Sequence, residues 1–259
     1  MVAVRRDAGV ELMRSIFAMD EPPMSRTRAD RLLNLVHSIS LDGIALPKGV
    51  HVLDPLRGDN STEVERIVHD FHRKYFSDEQ PRKLMLGINP GRLGAGSTGL
   101  CFTDTKRCES DLAIPVYGFR THEPSSDFFY RVVRAMGGAE AFYRDVYVQA
   151  ICPLGFTKAG PTGAQVNLNY YDDRALQEAI TPFVVEWLKR LISMGMRTDN
   201  VFCIGNGKNL AYLGSLNAEH RFFERITALE HPRYIMQYKA KRADVYVAKY
   251  VAALQQLQV

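Results

Sequence analysis

The stretch that most constrains this chain runs from Leu84 to Asp104, where a short apolar run empties into a glycine-rich loop. Lys83-Leu-Met-Leu-Gly-Ile88, bounded by turn signals, fits a strand covered on both faces, as in the parallel sheet of an α/β protein. Asn89 is the first polar side chain after it. Open α/β sheets bind ligands beyond the carboxyl ends of their strands, so Asn89 and the loop behind it stand where chemistry is usually done. Pro90 restricts the residue before it, which suits a side chain held in one orientation rather than a mobile linker. The glycines let backbone approach a ligand, and Phe102 offers an aromatic on their far side.

Three further strands follow the same logic. Asp145 to Pro153 is β-branched and ends at proline, Asn200 to Gly205 is the third strand, and Arg225 to Leu229 is the fourth. Helical patterns separate them. The expected fold is therefore α/β, a three-layer α/β/α sandwich with a central four-stranded, mainly parallel sheet. Asp30 to Ile39 has helical spacing, and Thr62-Glu-Val-Glu65 reads as a capping box opening the next helix. Residues 104–123 look irregular. Ser125 or Ser126 is expected to cap a helix running to Met136 and stopped by Gly137-Gly138. A loop is expected from Gly155 to Tyr171, carrying Asn167 and Asn169. Asp172 then begins a long helix with Trp187 in its apolar stripe and Pro182 as a kink or fresh start. The last helix spans roughly Lys241 to Gln258.

With 46% hydrophobic and 24% charged residues in 259, one domain over 1–259 is expected, its first 80 residues helical and 81–259 forming the core. A balance of 33 basic against 29 acidic residues leaves any nucleic-acid contact to local clusters. No run approaches the roughly eighteen apolar residues of a membrane span, and Arg5, Arg6, Asp7, Glu11 and Arg14 interrupt what a signal peptide would need. A cytoplasmic protein is expected, with no membrane partner. Cys101, Cys108, Cys152 and Cys203 lack the spacing of a zinc site, an iron-sulfur cluster or a disulfide framework. His69 and His72 lie three apart on a helix without a third ligand nearby, so no metal and no cofactor are expected.

Gly87-Ile-Asn-Pro-Gly followed by Thr98-Gly-Leu-Cys-Phe resembles the first active-site motif of the uracil-DNA glycosylase superfamily, nearest to the single-strand-selective monofunctional uracil-DNA glycosylases in a bacterial branch. Glu230-His-Pro-Arg233 lies where that superfamily keeps its His-Pro element, and Cys152-Pro-Leu154 between them is also similar. The resemblance covers about Leu84 to Tyr250. It implies hydrolysis of the N-glycosidic bond of uracil, or a related damaged base, in single- or double-stranded DNA by a monomer, starting base excision repair.

That chemistry asks for a water at C1′ and for stabilisation of charge gathering on the departing base. Asn89 is expected to orient the water, although an amide is no strong base, and His231 to donate a hydrogen bond to uracil O2 in the manner of an oxyanion hole. Asp104 is either an assisting base or a loop cap. Gly87, Ile88 and Gly91 form the cradle for the extruded base, and Phe102 either stacks on it or packs in the core. The resemblance calls for an Asn before Cys-Pro-Leu to read the uracil edge, where this chain has Ala150, so Asn169, or secondarily Asn167, takes that role. The wedge that fills the gap left by the flipped nucleotide is assigned to the segment after His231, led by Arg233 and Tyr234. Lys208, in Gly205-Asn-Gly-Lys208, stands either beside a DNA phosphate or in a plain tight turn. Lys239, Lys241 and Arg242 gather where a helix macrodipole disfavours cations, which suits a phosphate backbone or a solvated turn. The competing function is a catalytically silent binder of single-stranded or damaged nucleic acid.

Overall fold

The structure, a computed structural model, describes residues 27–255; the expectations for residues 1–26 and for the end of the last helix at Gln258 lie outside the described residues. Helix α1 (Arg28–His37) opens with a capping box between Thr27 and Asp30. Strand β1 (His51–Leu53), within the stretch Pro47 to Asn60 expected to be a loop, precedes α2 (Ser61–Tyr75). That helix begins at Ser61 with no side-chain cap, so Thr62 and Glu65 are already inside it and form no capping box. Strand β2 (Arg82–Gly87) follows, and the loop behind it winds into a single turn, α3 (Ala95–Thr98). Asp104 caps α4 (Thr105–Ser110) by accepting the Arg107 N–H at 3.0 Å, which makes part of the irregular stretch helical.

Helix α5 (Pro124–Ala135) starts at Pro124, so Ser125 and Ser126 lie within it and neither is its cap. Helix α6 (Ala139–Asp145) takes Asp145 from the expected second strand, leaving β3 (Val146–Ala150). The expected loop from Gly155 to Tyr171 is a hairpin, β4 (Gly155–Ala159) and β5 (Gln165–Leu168). Helix α7 (Arg174–Ser193) is capped by Asp173 rather than Asp172 and runs unbroken through Pro182. Then come β6 (Met196–Ile204), α8 (Lys208–His220), β7 (Ile226–Leu229), α9 (Pro232–Tyr238) and α10 (Ala243–Gln255).

The four expected strands form one parallel sheet in the order β3-β2-β6-β7, flanked by helices. Helix α6 packs on β2 and β3, while α7 and α8 pack on β6. Every residue of β2 is buried, including two cations at its amino end. Arg82 donates to the Tyr143 carbonyl and to Asp78, and Lys83 donates to Asp145 at 2.7 Å and to the Leu254 carbonyl at 2.8 Å. Buried charge is tolerated only when paired in this way. A second, antiparallel sheet, β1-β4-β5, lies beside the loop after β2. The two meet so closely that a Cβ on Gly155 would collide with the Pro90 carbonyl.

His69 is exposed and His72 is buried, so the two histidines of α2 do not share a face with solvent. His72 Nδ1 donates to the Val68 carbonyl at 2.7 Å, leaving Nε2 to accept from the Tyr147 hydroxyl at 3.1 Å. Burial pushes its pKa down to about 4 from an ordinary 6.5. Between those values the unfolded chain binds the extra proton, so stability falls as pH drops through the window. Carboxylates held low by arginine partners, such as Glu63 by Arg66 and Asp199 by Arg197, begin to lose their contribution only near their ordinary values of 4.5 and 3.8, at the acid edge of that window. Urea denaturation at steps from pH 7 to 4 is expected to show His72→Leu losing less stability than the parent, by up to ~3 kcal/mol at the acid end.

Candidate active site

Hydrogen bonding between β2 and β3 continues past the strand ends. Ile151 N–H donates to the Gly87 carbonyl at 3.0 Å and Cys152 N–H to the Ile88 carbonyl at 3.1 Å, so the backbone that presents Asn89 is fixed. The Asn89 side chain is then clasped by the corner that follows β5. Its Oδ1 accepts the Tyr170 N–H at 3.2 Å, and its Nδ2 donates to the Leu168 carbonyl at 3.3 Å. One partner can only donate and the other can only accept, which sets the amide orientation. The second lone pair of Oδ1 stays open.

Beyond these strand ends lies a cavity of about 350 Å³. Gly87, Ile88, Asn89, Gly91, Phe102, Asn167, Asn169, His231, Arg233 and Tyr234 all line it, so most of the expected site converges there. Phe102 adopts a left-handed backbone, φ 53°, unusual for an aromatic residue and costing on the order of 1–3 kcal/mol. Its ring stacks on Phe129, with centroids 5.2 Å apart and planes 21° apart. At Gly87 a Cβ would lie 3.1 Å from Cε2 and Cζ of that ring, so only glycine lets the aromatic lie over the end of β2 undisturbed.

His231 follows β7 and is the N-cap of α9, its Nδ1 accepting the Arg233 N–H at 3.1 Å. The single proton of the neutral ring therefore sits on Nε2. Desolvation first, and the Arg233 charge second, push its pKa down to about 4, which keeps the imidazole neutral near pH 7. Its ring lies 5.5 Å from that of Phe102. A neutral N–H donor, an amide oxygen and an aromatic face thus border one cavity.

Ala150 lines the cavity where the resemblance calls for a carboxamide. Both candidate substitutes line it, and both have partners. Asn169 Nδ2 donates to Asp172 at 2.8 Å, and Asn167 Oδ1 accepts the Arg92 N–H at 3.1 Å. Asp104 is fully buried, holding the Arg107 and Glu123 N–H groups, and does not line the cavity.

The cations spread over the surrounding surface. Arg233 and Tyr234 on α9 reach the cavity, as do Gln237 and Tyr238 from the same expected wedge segment, Pro232 to Tyr238; the Tyr234 and Tyr238 rings lie 5.4 Å apart, both exposed. Lys208 lies apart from these, on a neighbouring cavity of about 330 Å³ that shares Ile88, Asn169, Tyr171, His231 and Tyr234 with the first. Its ammonium pairs with Asp172 at 3.1 Å and lies over the Tyr171 ring. Lys239 precedes the 3-10 turn Ala240–Arg242, which itself contains Lys241 and Arg242, ahead of α10, and none of the three lines either cavity. Cys101, Tyr171 and Glu123 also line the cavity and were given no role from the sequence; burial pushes the Glu123 carboxyl up to about 7, with the Asp104 charge adding to the shift and Arg233 opposing it. An acidic residue just before a helix-opening Pro124 was the available signal. Among the described residues no group of three His, Cys, Asp or Glu side chains is gathered, and no helix is long and apolar enough to cross a membrane.

A family model described as the uracil DNA glycosylase superfamily matches residues 73–255. The crystal structure of wild-type SMUG2 from Pedobacter heparinus is similar with a TM-score of 0.87 and 43% identity, covering 90% of this chain and 99% of that one. No curated protein matches the chain.

The clasp on Asn89 has a direct test. Asn89→Asp keeps the shape but turns Nδ2 into an acceptor facing the Leu168 carbonyl. Urea denaturation at neutral pH is expected to show a loss of about 1–3 kcal/mol, the cost of an unpartnered buried polar group.

Proposed function

The chain belongs to the uracil DNA glycosylase superfamily of DNA glycosylases, and from that premise we propose that it excises uracil from DNA, breaking the N-glycosidic bond with water. The observation that carries this reading is the pairing of a neutral His231 Nε2–H with the oriented Asn89 amide across one cavity. A base cannot be reached inside a duplex, so it is turned out into the cavity, where it stacks on Phe102. As the glycosidic bond breaks, its electron pair moves onto the base. His231 donates to uracil O2 at the moment that oxygen gains charge, which an uncharged donor does without clamping the ground state. Asn89 aims the water at C1′ through its open lone pair. Gly87, Ile88 and Gly91 supply the close backbone walls.

Asn169 reads the base edge in this proposal. With one Nδ2 hydrogen held by Asp172, the other donates to O4 while Oδ1 accepts N3–H, a pairing that cytosine cannot match. Arg233 and Tyr234 fill the gap left by the extruded nucleotide, and Lys208, Lys239, Lys241 and Arg242 hold flanking phosphates. Among the described residues that line the main cavity none is a lysine, in keeping with hydrolysis by water rather than through a Schiff base.

Incubation with a uracil-containing oligonucleotide, followed by alkali, is expected to cleave the strand at the uracil. Binding without alkali-labile sites would instead establish a silent binder. His231→Ala should slow single-turnover excision by ~10²–10³-fold. Asn169→Ala should lower the rate on uracil and narrow the preference over cytosine; unchanged excision would remove Asn169 from the reading role.

A further inference from the structure

The reaction proposed for this site releases a proton from water. The Asn89 amide is no base, and His231 Nδ1 already accepts the Arg233 N–H, whereas Glu123 brings a carboxyl to the wall of the same cavity. It stands at the N-cap of α5, in extended backbone, yet its carboxyl makes no cap bond to that helix. Its backbone is held from both sides: the N–H donates to Asp104 Oδ2 at 2.9 Å, and the carbonyl accepts the Ser126 N–H and hydroxyl, each at 3.0 Å. The side chain is therefore delivered by a rigid stem to the cavity wall, where the neighbouring Ser125 hydroxyl favours its ionised form. It lies against the glycines of the loop that carries Asn89, with Cδ 2.8 Å from where a Gly94 Cβ would sit and Oε1 3.8 Å from the same point on Gly91. A side chain at residue 94 would displace it.

We propose that Glu123 is the general base of this enzyme, accepting the proton of the water that Asn89 orients. The inference rests on the glycosylase reading above and assigns a group within it. Glu123 lies toward Arg233, on the side of the cavity where α9 meets DNA in that reading and the sugar must sit, while Phe102, Gly87 and Ala150 surround the base. In the step, the water oxygen bonds to C1′, and the C1′–N1 pair leaves with uracil as its anion, held at O2 by His231. The water proton goes to a Glu123 oxygen and from there to solvent.

The titratable and charged groups facing Glu123 are Asp104, at the start of α4, Arg233, on α9, and the Cys101 thiol, which burial and the Glu123 charge keep protonated. Burial and Asp104 outweigh Arg233 and set the ionisation of Glu123 at about 7, where a general base is both available and strong enough to act. Because the ionised form accepts the proton, the rate rises with pH through that value and levels off above it.

The test is single-turnover excision from a uracil-containing single-stranded oligonucleotide over about pH 5 to 9, with binding of the same oligonucleotide measured alongside. Glu123→Gln is expected to lower the rate by ~10²-fold or more, to lose the rising limb, and to bind the oligonucleotide as the parent does. Glu123→Asp keeps an ionisable group and should retain the limb at a reduced rate. A Glu123→Gln rate close to the parent's, a reduced rate with the limb intact, or a rate that falls only as far as binding does would each overturn the assignment while leaving the glycosylase reading standing. A parent protein that leaves uracil in place would overturn both.

Discussion

One carboxamide ties the two sheets of this protein together. Asn89 leaves the end of the fully buried β2 and is gripped by the backbone on either side of Asn169, at the exit of the antiparallel hairpin. A second amide, the buried Asn209 at the start of α8, continues the grip. It donates to the Ile204 carbonyl at 3.0 Å and accepts the Tyr170 hydroxyl at 2.6 Å. The ends of β2 and β6 and the corner after β5 are thereby locked by bonds whose donors and acceptors cannot be exchanged. The cavity keeps its shape because its rim is polar and satisfied, not because apolar side chains fill it.

Within that rim, low dielectric sets the charge state of each group. Burial holds His231 uncharged and pushes Glu123 up toward neutrality, shifts of opposite chemical sense with a common cause. Arg233, at the mouth, pulls on both: it disfavours a second cation on His231 and favours the anion on Glu123. A cavity bordered by a donor that carries no charge and a carboxyl near its midpoint suits a reaction whose charge appears only as the bond breaks.

Much of this was legible in the chain, for a definite reason. Strands buried on both faces write continuous apolar runs, and the polar residue that ends such a run marks the ligand side of the sheet, which is how Asn89 stood out; His231 follows a half-buried strand and stood out by the motif Glu230-His-Pro-Arg233. The hairpin left no such mark. Gly155 to Leu168 mixes glycine, lysine and asparagine, with most of β5 exposed, and it becomes strand because β1, about a hundred residues earlier, pairs with it. Helix starts were misjudged by a residue or two for local reasons: Pro124 opens α5 before either serine can cap it, and α2 begins at Ser61, ahead of the Thr62 pattern. Glu123 was hidden differently. Thirty-odd residues separate it from Asn89, and only the approach of α5 to the glycine loop puts them in one chamber. The motif resemblance located the strand ends that carry Asn89 and His231 but not what the rest of the fold brings to them.

The antiparallel hairpin contributes one wall of the cavity through Asn167, yet its strands share no ladder with the parallel sheet, and its turn, residues 161–164, faces outward. Changes in the length or make-up of that turn leave the register of the four parallel strands untouched. The tip of the hairpin can thus lengthen or shorten while the parallel strand ends that present Asn89 and His231 keep their spacing, since no backbone ladder links the two sheets.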